Sequence, residues 1–226
     1  MFSLDTSLLA EARPVLEKAT QLAWVIGGSG SGKTTISRAI SEQAGVPIFD
    51  MDAAVFGSFR YDPIRHPATT AWFTAADPLA FTLGLPWPEF DTLYRATNAE
   101  MLDLLAAALR DRPDTPLLVD GGISHPSVLV QTLPPARIIC LAGPSGHGTR
   151  EWETAESRAA MKAAILALPD GYKMWSRFLD YDQRTTATLV RESRAAGIAV
   201  LGWDKETTVK ELSHRVAEAL FPIRSV

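Results

Sequence analysis

Residues 22–26, Leu-Ala-Trp-Val-Ile, form a continuous apolar run, the pattern of a strand buried on both faces. Shorter apolar runs at 47–49, 116–119, 137–142 and 198–201 predict four further strands. Between them, apolar positions recur with helical spacing at 34–43, where Ala44-Gly45 ends the pattern, and at 90–109, 150–168, 174–196 and 207–220. Residues 3–19 carry the same spacing through Leu4, Leu8, Leu9, Ala12, Val15 and Leu16, and Pro14 within it predicts a short or kinked leading helix. Strands separated by helices make a parallel sheet with right-handed crossovers, which places the chain in the α/β class. Residues 53–92 break this rhythm. They are rich in proline, Phe and Trp without clean periodicity, which predicts a partly irregular insertion able to cover a substrate at one end of the sheet.

Composition narrows the class. With 226 residues, 46% of them apolar, the chain can fill one core. A formal charge of −4 offers no basic footprint for a polyanion, so nucleic acid is not expected as a partner. Apolar runs fall short of the ~18 residues of a membrane span, and Asp5, Glu11, Arg13 and Glu17 occupy the start, so no membrane partner and a cytoplasmic location are expected. The single cysteine, Cys140, excludes an internal disulfide and reads as a core thiol between Ile139 and Leu141. Four scattered histidines show no metal spacing.

The chemistry starts after the first strand. Gly27, Gly32, Lys33 and Thr34 satisfy G-x-x-x-x-G-K-[ST] between a strand and a helix, the context that gives this motif meaning. Small residues Gly28, Ser29, Gly30, Ser31 and Gly32 let successive amides turn inward on a phosphate chain, and the helix that follows adds its positive end. Lys33 supplies a point charge, Thr34 a hydroxyl for Mg²⁺, and Thr35 completes the loop. This is a nucleoside triphosphate site. The only asparagine is Asn98, so the Asn-Lys-x-Asp box of guanine switches is missing, and Asp120 is followed by Gly121-Gly122 rather than the carboxylate that orients water in ATP hydrolases. Transfer to an acceptor hydroxyl is left, and it needs another carboxylate. Asp50 and Asp52, at the end of the second strand, are expected to share one side by strand alternation, at the carboxyl edge where doubly wound sheets bind ligands. One would serve Mg²⁺ and the other the hydroxyl; a capping Asp beside a solvated one is the alternative.

Residues 27–52, GGSGSGKTTISRAISEQAGVPIFDMD, resemble the small-molecule kinases of the shikimate kinase and gluconate kinase type, in which an acidic motif follows the P-loop lysine at the interval seen from Lys33 to Asp50. The segment from Asp120 to Pro126 is similar to the glycine-rich stretch where, in shikimate kinases, backbone amides approach the acceptor; the resemblance thus assigns Gly121 and Gly122 to substrate. It implies a nucleoside-monophosphate-kinase-like P-loop fold, three layers with a five-stranded parallel sheet in the order 2-3-1-4-5, ATP with Mg²⁺ held by Thr34, Asp50 and Asp120, and a small hydroxylated acceptor. The acceptor-binding arginines of shikimate kinases do not map onto residues 53–115, which leaves Arg60 and Arg65 as candidates for an acidic acceptor.

Kinases of this build close an arginine-bearing lid over the phosphates. The run from Gly143 to Gly148 is the expected hinge, followed by Arg150 and Arg158, about 80° apart on one helix. Arg177, Arg184 and Arg191 recur every seven residues as one stripe; the first two are candidates for ATP, whereas Arg191 reads as a solvated residue. The sequence therefore reads as one P-loop kinase domain over 1–226, with a core of 21–52, 116–143 and 197–226, an acceptor-binding insertion at 53–115 and a lid at 144–185. Its expected activity is transfer of the γ-phosphate of ATP, with Lys33, Asp50, Asp52, Arg150 and Arg158 as catalytic groups. The acceptor stays open among a nucleoside, a sugar or sugar acid and an antibiotic-like metabolite, the aromatic insertion favouring a nucleoside or sugar-like one; Trp72, Phe73, Trp87 and Phe90 either stack on a planar acceptor or pack as local core. An ATP-binding regulator or an ATP hydrolase driving a partner are the competing readings, and a monomer or homodimer is expected.

Overall fold

The computed structural model describes residues 2–112 and 114–221; the remaining positions assigned above to the domain, residues 1, 113 and 222–226, lie outside the described residues. Five parallel strands, β1 (Leu22–Gly27), β2 (Ile48–Asp50), β3 (Leu117–Asp120), β4 (Ile138–Ala142) and β5 (Ala199–Gly202), form one sheet in the order β2-β3-β1-β4-β5. The burial of each strand follows from this order. Leu22 to Ile26 of the central β1 are all buried, while β2 and β5, at the two edges, are partly open. The register sets Val25 and Asp50 beside Asp120, so the strand ends that carry chemistry share one edge of the sheet.

Helices cover both faces. α1 (Thr6–Lys18) and α6 (Trp87–Leu109) pack on one face, where Leu16, Trp24, Leu102 and Val119 belong to the larger core cluster. α2 (Lys33–Ala44) and α11 (Val209–Leu220) pack on the other, with Val25, Ile36, Leu141 and Val216 between them and the sheet. Pro14 lies inside α1, which runs as one helix from an Asp5 cap, because the preceding turn leaves its apolar stripe of Leu8, Leu9, Ala12 and Leu16 buried. α11 opens on a capping box in which Thr208 and Glu211 satisfy each other's backbone amides.

The irregular segment is ordered as short helices. After β2 come α3 (Met51–Ala53), a π-helical turn at Ala54–Ser58, α4 (Pro67–Thr74) and α5 (Pro78–Gly84). Stretches this short hold too few repeats to display a period, which is why the sequence looks irregular there. Past β3, a turn of helix α7 (Pro126–Leu129) precedes β4, and α8 (His147–Thr154), α9 (Ala159–Leu166) and α10 (Gly171–Ala195) occupy the stretch between β4 and β5. The single helix expected over 150–168 is therefore two. It breaks at Ala155, which is extended at φ −75° and ψ 128°, so Arg150 and Arg158 do not share a helix face. Among the described residues, no helix is long and apolar enough to cross a membrane.

Candidate active site

The glycine loop joins β1 to α2 as its spacing requires. Gly30 and Gly32 sit in the left-handed region at φ 69° and 84°, where a side chain would be strained. Gly32 caps α2 without a side-chain bond, so the amides at the start of that helix stay available to an anion. The loop is braced from its far side, where the Trp203 indole N–H donates to the Ser31 carbonyl at 2.7 Å.

Lys33 and Asp52 meet at Gly121. A Cβ on that glycine would lie 3.0 Å from Asp52 Oδ2 and 3.3 Å from Lys33 Cε, and its φ of 73° also favours glycine. Its neighbour Gly122, at φ 76°, leaves no room for a side chain against Met51. A buried indole fixes this turn, since Trp24 Nε1 donates to the Gly121 carbonyl at 2.9 Å. Burial pushes the Asp52 carboxyl above the ordinary value; Lys33 pulls it back, and Asp50 and Asp120 add to the rise. The carboxylate nonetheless remains reachable from the cleft.

The two acidic residues do not stand as strand alternation predicted. β2 stops at Asp50, and Met51–Ala53 already turn as a helix, so Asp52 is carried by the α3 turn. Asp50 caps that turn, its Oδ1 accepting from the Ala53 amide at 2.8 Å. The capping alternative thus holds for Asp50, and Asp52 is the carboxylate beside Lys33. Asp120 is buried at the end of β3, where Ser37 Oγ donates to it at 3.2 Å and the Thr34 hydroxyl faces it; burial raises its carboxyl, and Thr34 and Lys33 oppose that rise.

From Lys33 and Asp52 opens a cleft of about 390 Å³, walled by the insertion, α6 and α10. Trp72, Phe73 and Phe90 line it, Tyr94, Trp152 and Phe178 join them, and Trp72 and Phe90 also pack on the neighbouring rings of Phe73 and Tyr94. Trp87 does not line it; its ring packs on Phe90 and Tyr181. One wall is held by a polar chain. Asn98 Oδ1 accepts from the Ser124 and His125 amides at 3.1 and 2.9 Å, and the His125 ring spans from Ser124 Oγ (2.9 Å) to Asp91 Oδ1 (3.0 Å). Burial lowers the His125 ring's affinity for a proton, against the pull of Asp91.

α10 lies across the glycine loop. Ser29 Oγ donates to Asp182 Oδ1 at 2.5 Å, and a Cβ on Gly28 would collide with the Thr186 side chain, so part of the need for glycine at 28 comes from this helix. A second cavity of about 810 Å³ adjoins the loop, lined by Gly28, Ser29 and Ser31 on one side and by Arg191 and Arg194 of α10 on the other.

The remaining sequence candidates are placed elsewhere. Arg65 is clamped outside the cleft, its Nε and Nη2 donating to Asp103 at 2.7 and 2.6 Å and Nη2 also to Glu11 at 2.6 Å. Arg60 is exposed and lines neither cavity, and the same holds for Arg150 and for Thr35. The Arg158 guanidinium stacks 4.2 Å over the Trp152 ring. Arg177 donates to the Leu83 carbonyl at 2.6 Å, and Arg184 pairs with Asp180 and lies over Trp87. Of the seven-residue stripe, only Arg191, expected to be solvated, reaches the loop's cavity. Sequence reasoning does not reach Arg194, Asp182, Thr186 or the bracing indoles of Trp24 and Trp203; they act across elements far apart in the chain, and no local spacing marks them.

Among the described residues, no cluster of His, Cys, Asp and Glu forms a metal cage. Mg²⁺ needs none, since it is held through one or two carboxylates, waters and substrate phosphates, and the Thr34 hydroxyl beside Asp120 provides oxygen donors of that kind.

No protein-family model matches the chain, and no curated protein matches it. Solved structures that do match include shikimate kinase from Acinetobacter baumannii in complex with shikimate, at 13% identity over 87% of this chain and 90% of that one with a TM-score of 0.47. Shikimate kinase from Aquifex aeolicus matches at 14% identity over 88% of this chain and 95% of that one, with a TM-score of 0.43. At such low identity the chemistry open to this chain rests on its own strand order and cleft, not on these likenesses.

Proposed function

We propose that this chain is an ATP-dependent phosphotransferase that moves the γ-phosphate of ATP to a hydroxyl of a small molecule held in the aromatic cleft. The observation that carries the reading is the approach of Lys33 and Asp52 to one buried glycine, Gly121, with both side chains lining a cleft large enough for an acceptor. A phosphate-binding lysine beside an accessible carboxylate is what transfer to an alcohol requires.

In this reading the amides at the start of α2 and the Lys33 ammonium bind the phosphates, and Arg191 and Arg194 reach the rest of the nucleotide from α10. Thr34 and Asp120 hold Mg²⁺, which offsets charge on the phosphates, with Asp50 close by. Asp52 receives the acceptor's proton as the hydroxyl oxygen bonds to phosphorus, and Lys33 stabilises the charge that passes to the leaving ADP. A carboxyl raised toward neutrality by burial suits a proton acceptor better than an ordinary one. The test is acceptor-dependent ADP release with identification of the phosphate ester, in wild type, Lys33→Ala and Asp52→Asn. Full turnover without any acceptor would support a hydrolase instead, and tight ATP binding with no release would support a regulator.

A further inference from the structure

Among the described residues, the cleft carries no charge beyond the glycine loop. Its charged lining residues are Lys33, Asp52 and Asp182, all gathered beside the loop itself. Outward from there the wall is mainly aromatic and aliphatic, with Phe56, Trp72, Leu83, Phe90, Trp152 and Phe178 prominent, and carries uncharged hydroxyl and amide groups such as Thr69, Thr97 and Asn98. An acidic acceptor buried here would lie without a counter-charge, which is strongly unfavourable. Of the cations near it, Arg65 is engaged by Asp103 and Glu11 and Arg177 by the Leu83 carbonyl, while Arg158 lies over the Trp152 ring and is not itself a lining residue. A sugar fits no better, because a hydroxyl on nearly every carbon needs a polar partner and several of the wall's polar groups, among them Thr82, Thr97, Asn98 and Tyr181, already hold protein partners.

The mouth points the same way. Of the six large apolar side chains that stand exposed among the described residues, three, Phe56 (64%), Phe73 (39%) and Met161 (41%), line this cleft, and Ile64, Tyr172 and Val209 do not. Apolar side chains grouped at the opening of a cleft suit apolar matter. Two buried polar atoms of residues that line the cleft, Thr69 Oγ1 and Trp152 Nε1, have no hydrogen-bond partner among the described residues. Leaving such groups unmade is costly, and a ligand that pairs with them recovers that cost.

Resting on the phosphotransferase reading, we infer that the acceptor is an uncharged, largely aromatic or aliphatic alcohol. Its hydroxyl lies against Asp52, its apolar body fills the cleft, and a polar atom along that body pairs with the Thr69 hydroxyl or the Trp152 N–H. In the reaction, the alcohol oxygen forms a bond to the γ-phosphorus of ATP, the bond from that phosphorus to the β,γ-bridging oxygen breaks, and the hydroxyl proton passes to Asp52. The products are a neutral alcohol's phosphate monoester and ADP. The cavity of about 390 Å³ falls in the range that holds drug-sized ligands.

The experiment uses the full chain with ATP and Mg²⁺ and four acceptors: 4-phenylbutanol, an N-acylated aryl amino alcohol, glucose and gluconate. ADP release and ³¹P NMR report transfer, and thermal shift without nucleotide reports binding. Expected are kcat/KM values at least tenfold higher for the two aryl alcohols than for glucose or gluconate. Phe56→Arg at the exposed mouth should raise the aryl alcohols' KM at least tenfold with ATP affinity unchanged. Thr69→Val should raise KM several-fold for the N-acyl compound and leave 4-phenylbutanol as it was. Preferred turnover of glucose or gluconate overturns the inference and keeps the kinase. If no acceptor is phosphorylated but the aryl alcohols still stabilise wild type and not Phe56→Arg, the phosphotransferase reading falls and the ligand class stands. Aryl alcohols that neither bind nor react overturn the inference outright.

Discussion

The Trp24 indole N–H holds the Gly121 carbonyl at 2.9 Å from within the sheet core, so a fully buried aromatic side chain on β1 sets the turn that separates Lys33 from Asp52. Trp24→Phe keeps most of the packing and removes the donor. A buried carbonyl left without its partner costs about 1–3 kcal/mol, and the melting temperature should fall accordingly. The loss in kcat for phosphoryl transfer should exceed tenfold, because the turn then loosens between the two reacting groups. A stability loss with unchanged kcat would show that the bond serves the core alone.

Asp182 faces the phosphate loop with a negative charge held by Ser29. Any triphosphate entering the loop meets that carboxylate, and like charges repel. Asp182→Asn should tighten ATP binding, by up to about fivefold for a group open to solvent, in calorimetry with Mg²⁺ present. Weaker binding in the variant would mean that Asp182 organises the loop for nucleotide rather than opposing it.

The raised carboxyl of Asp52 bears on stability as well as activity. Its proton is held more tightly in the folded chain than at the ordinary value of 3.8, so the folded state is favoured below that pH and loses this advantage as pH rises through the raised value. Asp52→Asn, which cannot ionise, should match wild type in melting temperature at pH 3 and exceed it at pH 8. The same variant should lose transfer, the exchange of stability for activity common at reactive sites. Equal melting temperatures at both pH values would show that Asp52 is not disfavoured as an anion.

Asp103 has the opposite sign. Burial disfavours its charge, but hydrogen bonds from Arg65 and His66 outweigh burial and hold the carboxyl below 3.8, so its contribution is present above that pH and is lost as the solution is acidified through the lowered value. Arg65→Leu should cost about 1–3 kcal/mol at pH 7 by stranding Asp103, a cost that shrinks as the pH falls below 3.8 through the lowered value. Acceptor KM should not change. A rise in KM would return Arg65 to the substrate site, where the sequence pattern puts it.

How much of this is legible in the sequence depends on how far apart the cooperating residues lie. The apolar run 22–26 and the motif from Gly27 to Thr34 are local, and both the strand and the loop stand where their patterns put them. Sheet order matches what the family resemblance implies. Asp52 is found for the wrong reason, since a helical turn and not strand alternation delivers it to Lys33. The arginines fail as a group because charge spacing on one helix cannot say which carboxylate or carbonyl another element will offer. Arg65 meets Asp103 and Arg177 meets Leu83 before any ligand can claim them, whereas Arg184 pairs with Asp180 of its own helix, four residues earlier, a pairing that local spacing does show. The acceptor cleft is legible only as an aromatic-rich segment, because its missing charges become visible only when α6 and α10 close its walls.

Whether Lys33 and Asp52 act on one phosphoryl group is decided by following ³²P from γ-labelled ATP into the acceptor with wild type, Lys33→Ala and Asp52→Asn, using 4-phenylbutanol, the N-acylated aryl amino alcohol, glucose and gluconate. Labelled ester should form with wild type, Lys33→Ala should lower its rate by roughly 10³ or more through lost stabilisation of the transferred charge, and Asp52→Asn should lower kcat by on the order of 10²–10⁴ with ATP affinity retained. Label recovered only as inorganic phosphate, at the same rate with and without acceptor and in Asp52→Asn as in wild type, would refute the joint action of the two residues.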